Sequence, residues 1–184
     1  MAEASFSRGT DGVFFHPAQG RFAGELRTNA SDQFETEMHV VGDTWRRAGF
    51  DFSEAITPTA LVQDSQTRAT FTGVYIYGAG GWEQALRGYH STLIPTADNR
   101  WSGGNRGAWR NADWDRLILA YDATLDPVQR GQVAAQLARM YTEELPAIAM
   151  EYDPDVITFA KALTGPLGGQ REATVWNIHQ WELR

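Results

Sequence analysis

The sequence predicts an α/β domain, a mixed sheet flanked by helices, because short runs rich in β-branched and aromatic residues alternate with runs of helical periodicity. Three observations carry this. Two helix signatures lie back to back between residues 103 and 146, a helical pattern at 34–48 sits between two strand-like segments, and residues 71–77 (FTGVYIY) have strand composition.

Taken in order, residues 13–16 and 21–28 read as strands joined by the turn-forming cluster Pro17-Ala18-Gln19-Gly20. Ser31 or Asp32 is placed to cap a helix whose apolar positions Phe34, Met38, Val41 and Trp45 recur at helical spacing, and Gly49 is suited to end it. Residues 50–57 alternate as a strand does, up to Pro58. A short helix is expected at 59–67, a central strand at 71–77, and another short helix at 82–87 after the run Gly78-Ala79-Gly80-Gly81. Residues 89–107 lack periodicity and read as a long surface loop, a length that marks function or disorder.

The helix pair is the most explicit part of the chain. Trp114, Leu117, Ile118 and Tyr121 recur at i, i+3, i+4 and i+7, with Asn111 or Asp113 as N-cap. Asp126 then stands at an N-cap position and Pro127 at the first helical position, where a missing N–H costs nothing. Val133, Leu137, Met140, Tyr141 and Leu145 form one apolar face. Pro146 stops the helix before the apolar run 147–150, which reads as a short strand.

With 184 residues and 42% hydrophobic content, the chain is long enough to bury one substantial core. Its net charge of −7 argues against a nucleic-acid or anionic-membrane surface, which requires a basic patch. No cysteine is present, which excludes disulfides and thiolate metal sites. The histidines (His16, His39, His90 and His179) have no two-ligand spacing, so no metal is expected. No G-x-S-x-G motif occurs, and Asp113 and Asp115 are explained by a helix N-terminus, so the chain reads as non-catalytic and without a cofactor. The glycines at 78–81 stand where phosphate-binding loops stand, yet the sixth position of a dinucleotide fingerprint is Glu83, whose charge opposes a phosphate.

The Gly-rich loop around Asn105, the start Asp113-Trp114-Asp115 with Leu117-Ile118, the Asp126-Pro127 connector, the long helix and Leu145-Pro146 together resemble the C-terminal part of family 5 extracellular solute-binding proteins. These are receptors of ABC importers for peptides, nickel and other solutes. Residues 11–29 are similar to the family's hairpin, and 34–50 to its following helix. The resemblance implies one lobe of a type II periplasmic-binding-protein-like fold, with residues 1–154 as a C-terminal lobe incomplete at its N-terminal side. Residues 155–184 would be a tail crossing back to the first lobe. It further implies capture of a small solute outside the cytoplasm, with the importer's membrane subunits as partners of the intact protein and a signal peptide upstream of this chain. An uncovered cleft face implies homodimerisation of the isolated lobe. A self-contained, aromatic-rich module for ligands such as glycans is the alternative.

The resemblance places 78–82 and 89–107 at the cleft. The candidate ligand-binding set is Tyr77, Gly80, Gly81, Trp82, Trp101, Asn105 and Tyr152. Trp82 and Trp101 offer stacking faces and Asn105 an amide, although Asn105 is equally suited to make a turn. Tyr75 and Tyr77 share one face of a strand, where packing is the competing role. Peptide-binding relatives carry an aspartate for the ligand's α-amine in the 78–82 loop. None is present here, and Glu83 is the nearest carboxylate.

Overall fold

The principal sheet is built on β4 (Ala23–Asn29), which takes a parallel partner on each side, β5 (Asp51–Thr57) and β6 (Gly73–Tyr75), in the order β5-β4-β6. The computed structural model describes residues 1–78, 82–150, 158–167 and 175–184, with the backbone alone at 82–84. Contacts divide the chain into two compact units, Met1–Pro146 and Ala147–Arg184.

Alternation along β4 turns Leu26 and Thr28 to one face, where both are fully buried. Helix α1 (Asp32–Ala48) covers that face. Its Met38 packs with Leu26 and Ile76, and Val41, Trp45 and Phe52 close around them. The helix begins after Ser31, carries Asp32 and Glu35 in its first turn, and ends at Gly49 with φ 100°, as the sequence predicts. On the opposite face Arg27 is paired with Glu25 at 2.6 Å.

The strand expected at 21–28 is divided at Phe22. Upstream, β1 (Ser7–Arg8), β2 (Phe14–His16) and β3 (Gly20–Arg21) form an antiparallel sheet. The Phe22 N–H then donates to the Phe14 carbonyl at 2.8 Å, while its own carbonyl accepts from the Asp51 N–H at 3.0 Å. That residue hands the chain from antiparallel to parallel pairing, so both kinds occur in separate sheets.

Residues 59–69 form a 3-10 turn and then α2 (Ser65–Ala69), capped by Asp64. β6 is shorter than the composition of 71–77 suggests, and among the described residues it lies at an edge with β4 in the centre. Its start is fixed by Gly73, at φ 135°, where a Cβ would stand 2.2 Å from the Glu25 carbonyl oxygen. Only glycine permits this approach to β4.

A second core joins α3 (Trp82–Gly88), α4 (Ala112–Ala123) and α5 (Pro127–Glu144). Leu86, Trp114, Leu117, Ile118, Tyr121 and Leu137 are buried there. Asn111 caps α4 by accepting from the Asp113 and Trp114 N–H groups, and Asp126 caps α5 by accepting from Gln129. Glu144 ties the pair together, accepting from the Trp109 indole at 3.1 Å and from the Asn111 amide at 2.8 Å. The predicted apolar face of α5 stops short of Leu145, which leaves the helix at φ 49° and is 58% exposed.

In the second unit, β7 (Leu163–Thr164) pairs antiparallel with β8 (Glu182–Leu183). Asn177 is buried beside them, donating to the Gly165 carbonyl at 2.6 Å and accepting from the Trp181 indole at 2.9 Å. The short strand expected at 147–150 does not form: those residues pair with no strand, and Ile148 and Met150 are exposed.

Candidate ligand-binding crevice

Parallel sheets place ligands beyond the carboxyl ends of their strands, where side chains of adjacent strands converge. Here that end presents Asn29, Thr57, Tyr75 and Tyr77. The Tyr75 hydroxyl donates to the Asn29 side-chain oxygen and lies 3.3 Å from the hydroxyl of buried Thr57, so one phenol ties three strand ends together. Thr28 adds a bond from its hydroxyl to the Ile76 carbonyl at 3.0 Å. Ile76 points into the α1 core, which sends Tyr75 and Tyr77 to the other face. The Tyr75 ring sits between Phe71 and Tyr77, at centroid distances of 5.3 and 6.2 Å. Tyr75 is thereby committed to structure, whereas Tyr77 is 41% exposed. Gly78 follows, close enough to Phe34 of α1 that a Cβ would meet its ring at 3.3 Å.

Above the Tyr77 ring stands the guanidinium of Arg106, 5.9 Å from the centroid. Arg106 is half-buried, and among the described residues its side chain has no ion-pair or hydrogen-bond partner. Burial holds its pKa below the ordinary arginine value; the nearby charge of Arg68 acts in the same direction, while Tyr77 and Tyr75 oppose it. Tyr89 lies beneath. Burial, and then Tyr77 and Tyr141, push its phenol far above the ordinary tyrosine value, so it stays neutral and can donate a hydrogen bond. Tyr89 contacts the rings of Tyr141 and Trp114, which links this end of the sheet to the aromatic core of the helix pair.

Of the residues singled out from the sequence, Tyr77 stands at the crevice. Asn105 does not offer its amide: it is 1% exposed, its NH2 donates to the Tyr89 and Trp109 carbonyls at 3.0 and 2.8 Å, and its oxygen accepts from the Trp109 N–H at 3.1 Å. The turn-making role is the one the structure displays. Trp101 is half-buried in a turn where both it and Arg100 adopt left-handed backbone angles, φ 60° and 56°. That turn is held by Asn99, which accepts from the Thr96 and Ser102 N–H groups and donates to the Ile94 carbonyl. The loop at 89–107 is therefore irregular yet pinned by two asparagines. Trp82 opens α3, its side chain lying outside the described atoms, and Gly80, Gly81 and Tyr152 lie outside the described residues. Sequence reasoning passed over Asn29, Thr57, Arg68 and Arg106. The available signal for Arg106 was its place directly after Asn105.

One cluster has the residue types of a catalytic triad without its geometry. The Ser91 hydroxyl is bonded to Asp115, which also accepts from the Ser91 N–H at 2.9 Å, and His90 Nδ1 faces the Thr92 hydroxyl at 2.9 Å. The serine has no contact with the imidazole that would activate it. A shallow hollow of about 570 Å³ opens at the opposite, amino end of the sheet, lined by Ala23, Gly24, Glu25, Phe52, Ser53, Thr72 and Gly73. Its single charged group, Glu25, is already paired with Arg27, which leaves little to orient a ligand.

No protein-family model and no curated protein matches the sequence. Solved structures do. An oligopeptide-binding protein from Thermus thermophilus, complexed with a pentapeptide, superposes with TM-score 0.67 at 24% identity over 79% of this chain. The oligopeptide-binding protein AppA of Bacillus subtilis, in complex with a nonapeptide, gives 0.72 at 21% identity over 100% of the chain. NikZ of Campylobacter jejuni, bound to Ni(L-His), gives 0.70 at 14% identity over 98%. The chain has the fold of one part of such a periplasmic-binding-protein-like receptor. It spans 27%, 36% and 37% of the three chains, respectively.

Proposed function

We propose that this chain is the C-terminal lobe of a two-lobed receptor that captures a small solute outside the cytoplasm and delivers it to the membrane subunits of an ABC importer. The observation that carries the reading is the sheet end where the carboxyl termini of β4, β5 and β6 converge, with exposed Tyr77 beside it, in a chain that superposes on ligand-bound receptors. A rigid sheet end presents fixed contacts. The closing motion of a second lobe would supply the remaining ones and exclude water. Residues 1–154 supply the lobe in this reading and 155–184 the return toward the first lobe, with Tyr77 and Trp101 as the ligand contacts assigned among the described side chains.

The lack of a carboxylate within 78–82 separates this lobe from the peptide receptors it resembles. An ammonium enclosed without a partner is strongly penalised, so binding is expected to proceed without a free α-amine on the ligand.

Calorimetry distinguishes a lobe from a self-contained module. The complete two-lobed protein should bind its solute roughly a hundredfold more tightly than the 184-residue chain alone, a gap of about 2–3 kcal/mol for the contacts the missing lobe supplies. Equal affinity would identify the chain as a self-sufficient binding module.

A further inference from the structure

We infer that His90 is a proton-operated latch on the loop at 89–107: neutral, its ring caps the first turn of the loop, and charged, it gives up that cap and turns to Asp115. The inference goes beyond the crevice reading above and holds for any solute.

Thr92 fixes the state of the ring. Its backbone N–H, which can only donate, meets His90 Nδ1 at 3.2 Å, and its hydroxyl lies at 2.9 Å, so Nδ1 carries the lone pair and Nε2 the proton. Nε2 is buried, and among the described residues it has no hydrogen-bond partner. The imidazole is held by one nitrogen while the other goes unsatisfied, an arrangement that a second position of the ring relieves. Protonation makes both nitrogens donors. Nδ1–H then confronts the Thr92 N–H and Nε2–H still lacks an acceptor, so the charged ring cannot stay where the neutral one sits. Its destination is close: Asp115 Oδ1 of α4 lies 3.7 Å from Nδ1 and is the ring's ion-pair partner among the described residues. The other charges of α4 and of the loop are engaged or exposed, since Asp113 pairs with Arg116, Asp122 with Arg87, Arg106 stands over Tyr77, and Asp98 and Arg100 face solvent.

The rest of the loop hangs on this turn. The His90 carbonyl accepts from the Leu93 N–H at 2.9 Å, and the Leu93 carbonyl accepts from the Asn105 N–H at 3.1 Å. Gly103 lies so near that second carbonyl that a Cβ would stand 2.0 Å from its oxygen, so the two ends of the loop meet at residues 90–93. The Ile94 carbonyl takes the amide of Asn99, which holds the turn carrying Trp101. A cap lost at His90 is therefore felt along the loop. Histidine is the side chain that changes charge between about pH 5 and 8, so the latch answers to mild acid.

The test is heteronuclear NMR on the full 184-residue chain across this range of pH, following the ring nitrogens of His90 and the amides of Thr92, Leu93 and Asn105. At the alkaline end Nδ1 should show the signature of a bonded acceptor. On acidification the Thr92 amide signal should move in step with the His90 ring. Protection of the Leu93 and Asn105 amides, corrected for the intrinsic pH dependence of exchange, should fall about tenfold, the scale of one hydrogen bond. His90→Asn supplies an uncharged acceptor for the Thr92 N–H, as an N-cap does, and should remove the step while keeping the alkaline protection. Asp115→Asn should keep the step and deepen it, because the charged ring then lacks its partner. A step that survives His90→Asn, or that disappears in Asp115→Asn, would assign the response to another group and overturn the inference. A Thr92 signal that ignores the charging of the ring, or a ring that stays neutral down to about pH 5, would overturn it as well.

Discussion

Leu137→Ala is expected to destabilise the first unit by about 2–5 kcal/mol, through lost burial and the cavity left behind. Leu137 is fully buried in the α5 face, against a cluster whose other members come from α3 and α4. Large rings such as Trp114 and Tyr121 cannot collapse into the gap without leaving their own contacts. The control is Leu125, which is 93% exposed in the connector between the two helices. Leu125→Ala should stay within about 0.5 kcal/mol, as surface substitutions do. Urea unfolding followed by tryptophan fluorescence reads both, and a loss below about 1 kcal/mol for Leu137→Ala would mean that α5 is not anchored through this face.

Asn105→Ala should cost about 3 kcal/mol, since it strands two carbonyls and an N–H in a buried site, each carrying a desolvation penalty of about 1–3 kcal/mol that local adjustment only partly relieves. Asn105→Asp should be nearly as damaging, because a carboxylate cannot donate to the Tyr89 and Trp109 carbonyls. Amide exchange should rise across 89–109 in both variants. Unchanged stability with a specific loss of solute binding would return Asn105 to the role of a ligand contact.

The two helices at 112–144 and α1 were legible because each has both a periodic apolar face and a chemical start or stop: Asn111, Asp126-Pro127, and Gly49. The hairpin and the first strands were legible in place but not in pairing. Nothing local to Phe22 announces that its two backbone groups serve different sheets, because the partner strand begins far along the chain at Asp51. The length of β6 was hidden for a similar reason. Valine and tyrosine favour a strand throughout 71–77, and only the close approach of Gly73 to Glu25 decides where pairing begins. The loop at 89–107 looked unstructured because asparagine side chains, which have no periodicity, do the work that backbone ladders do elsewhere. Within the crevice, Tyr77 was visible from its place at a strand end. Arg106 was not, since an arginine without an acidic neighbour among the described residues is recognised only once the positions of the acidic groups are known.

The most direct test of the account is calorimetry on the complete two-lobed receptor with a tripeptide, its N-acetylated form and a nickel–histidine complex, in the wild type and in Tyr77→Ala. If the carboxyl ends of β4, β5 and β6 hold the solute, at least one of these ligands binds, acetylation of the peptide leaves its affinity within about threefold, and Tyr77→Ala weakens the bound ligand about tenfold or more through loss of an aromatic contact at the site. Affinity that Tyr77→Ala leaves unchanged, together with a strong preference for the free amine, would contradict it and move the binding site away from this end of the sheet.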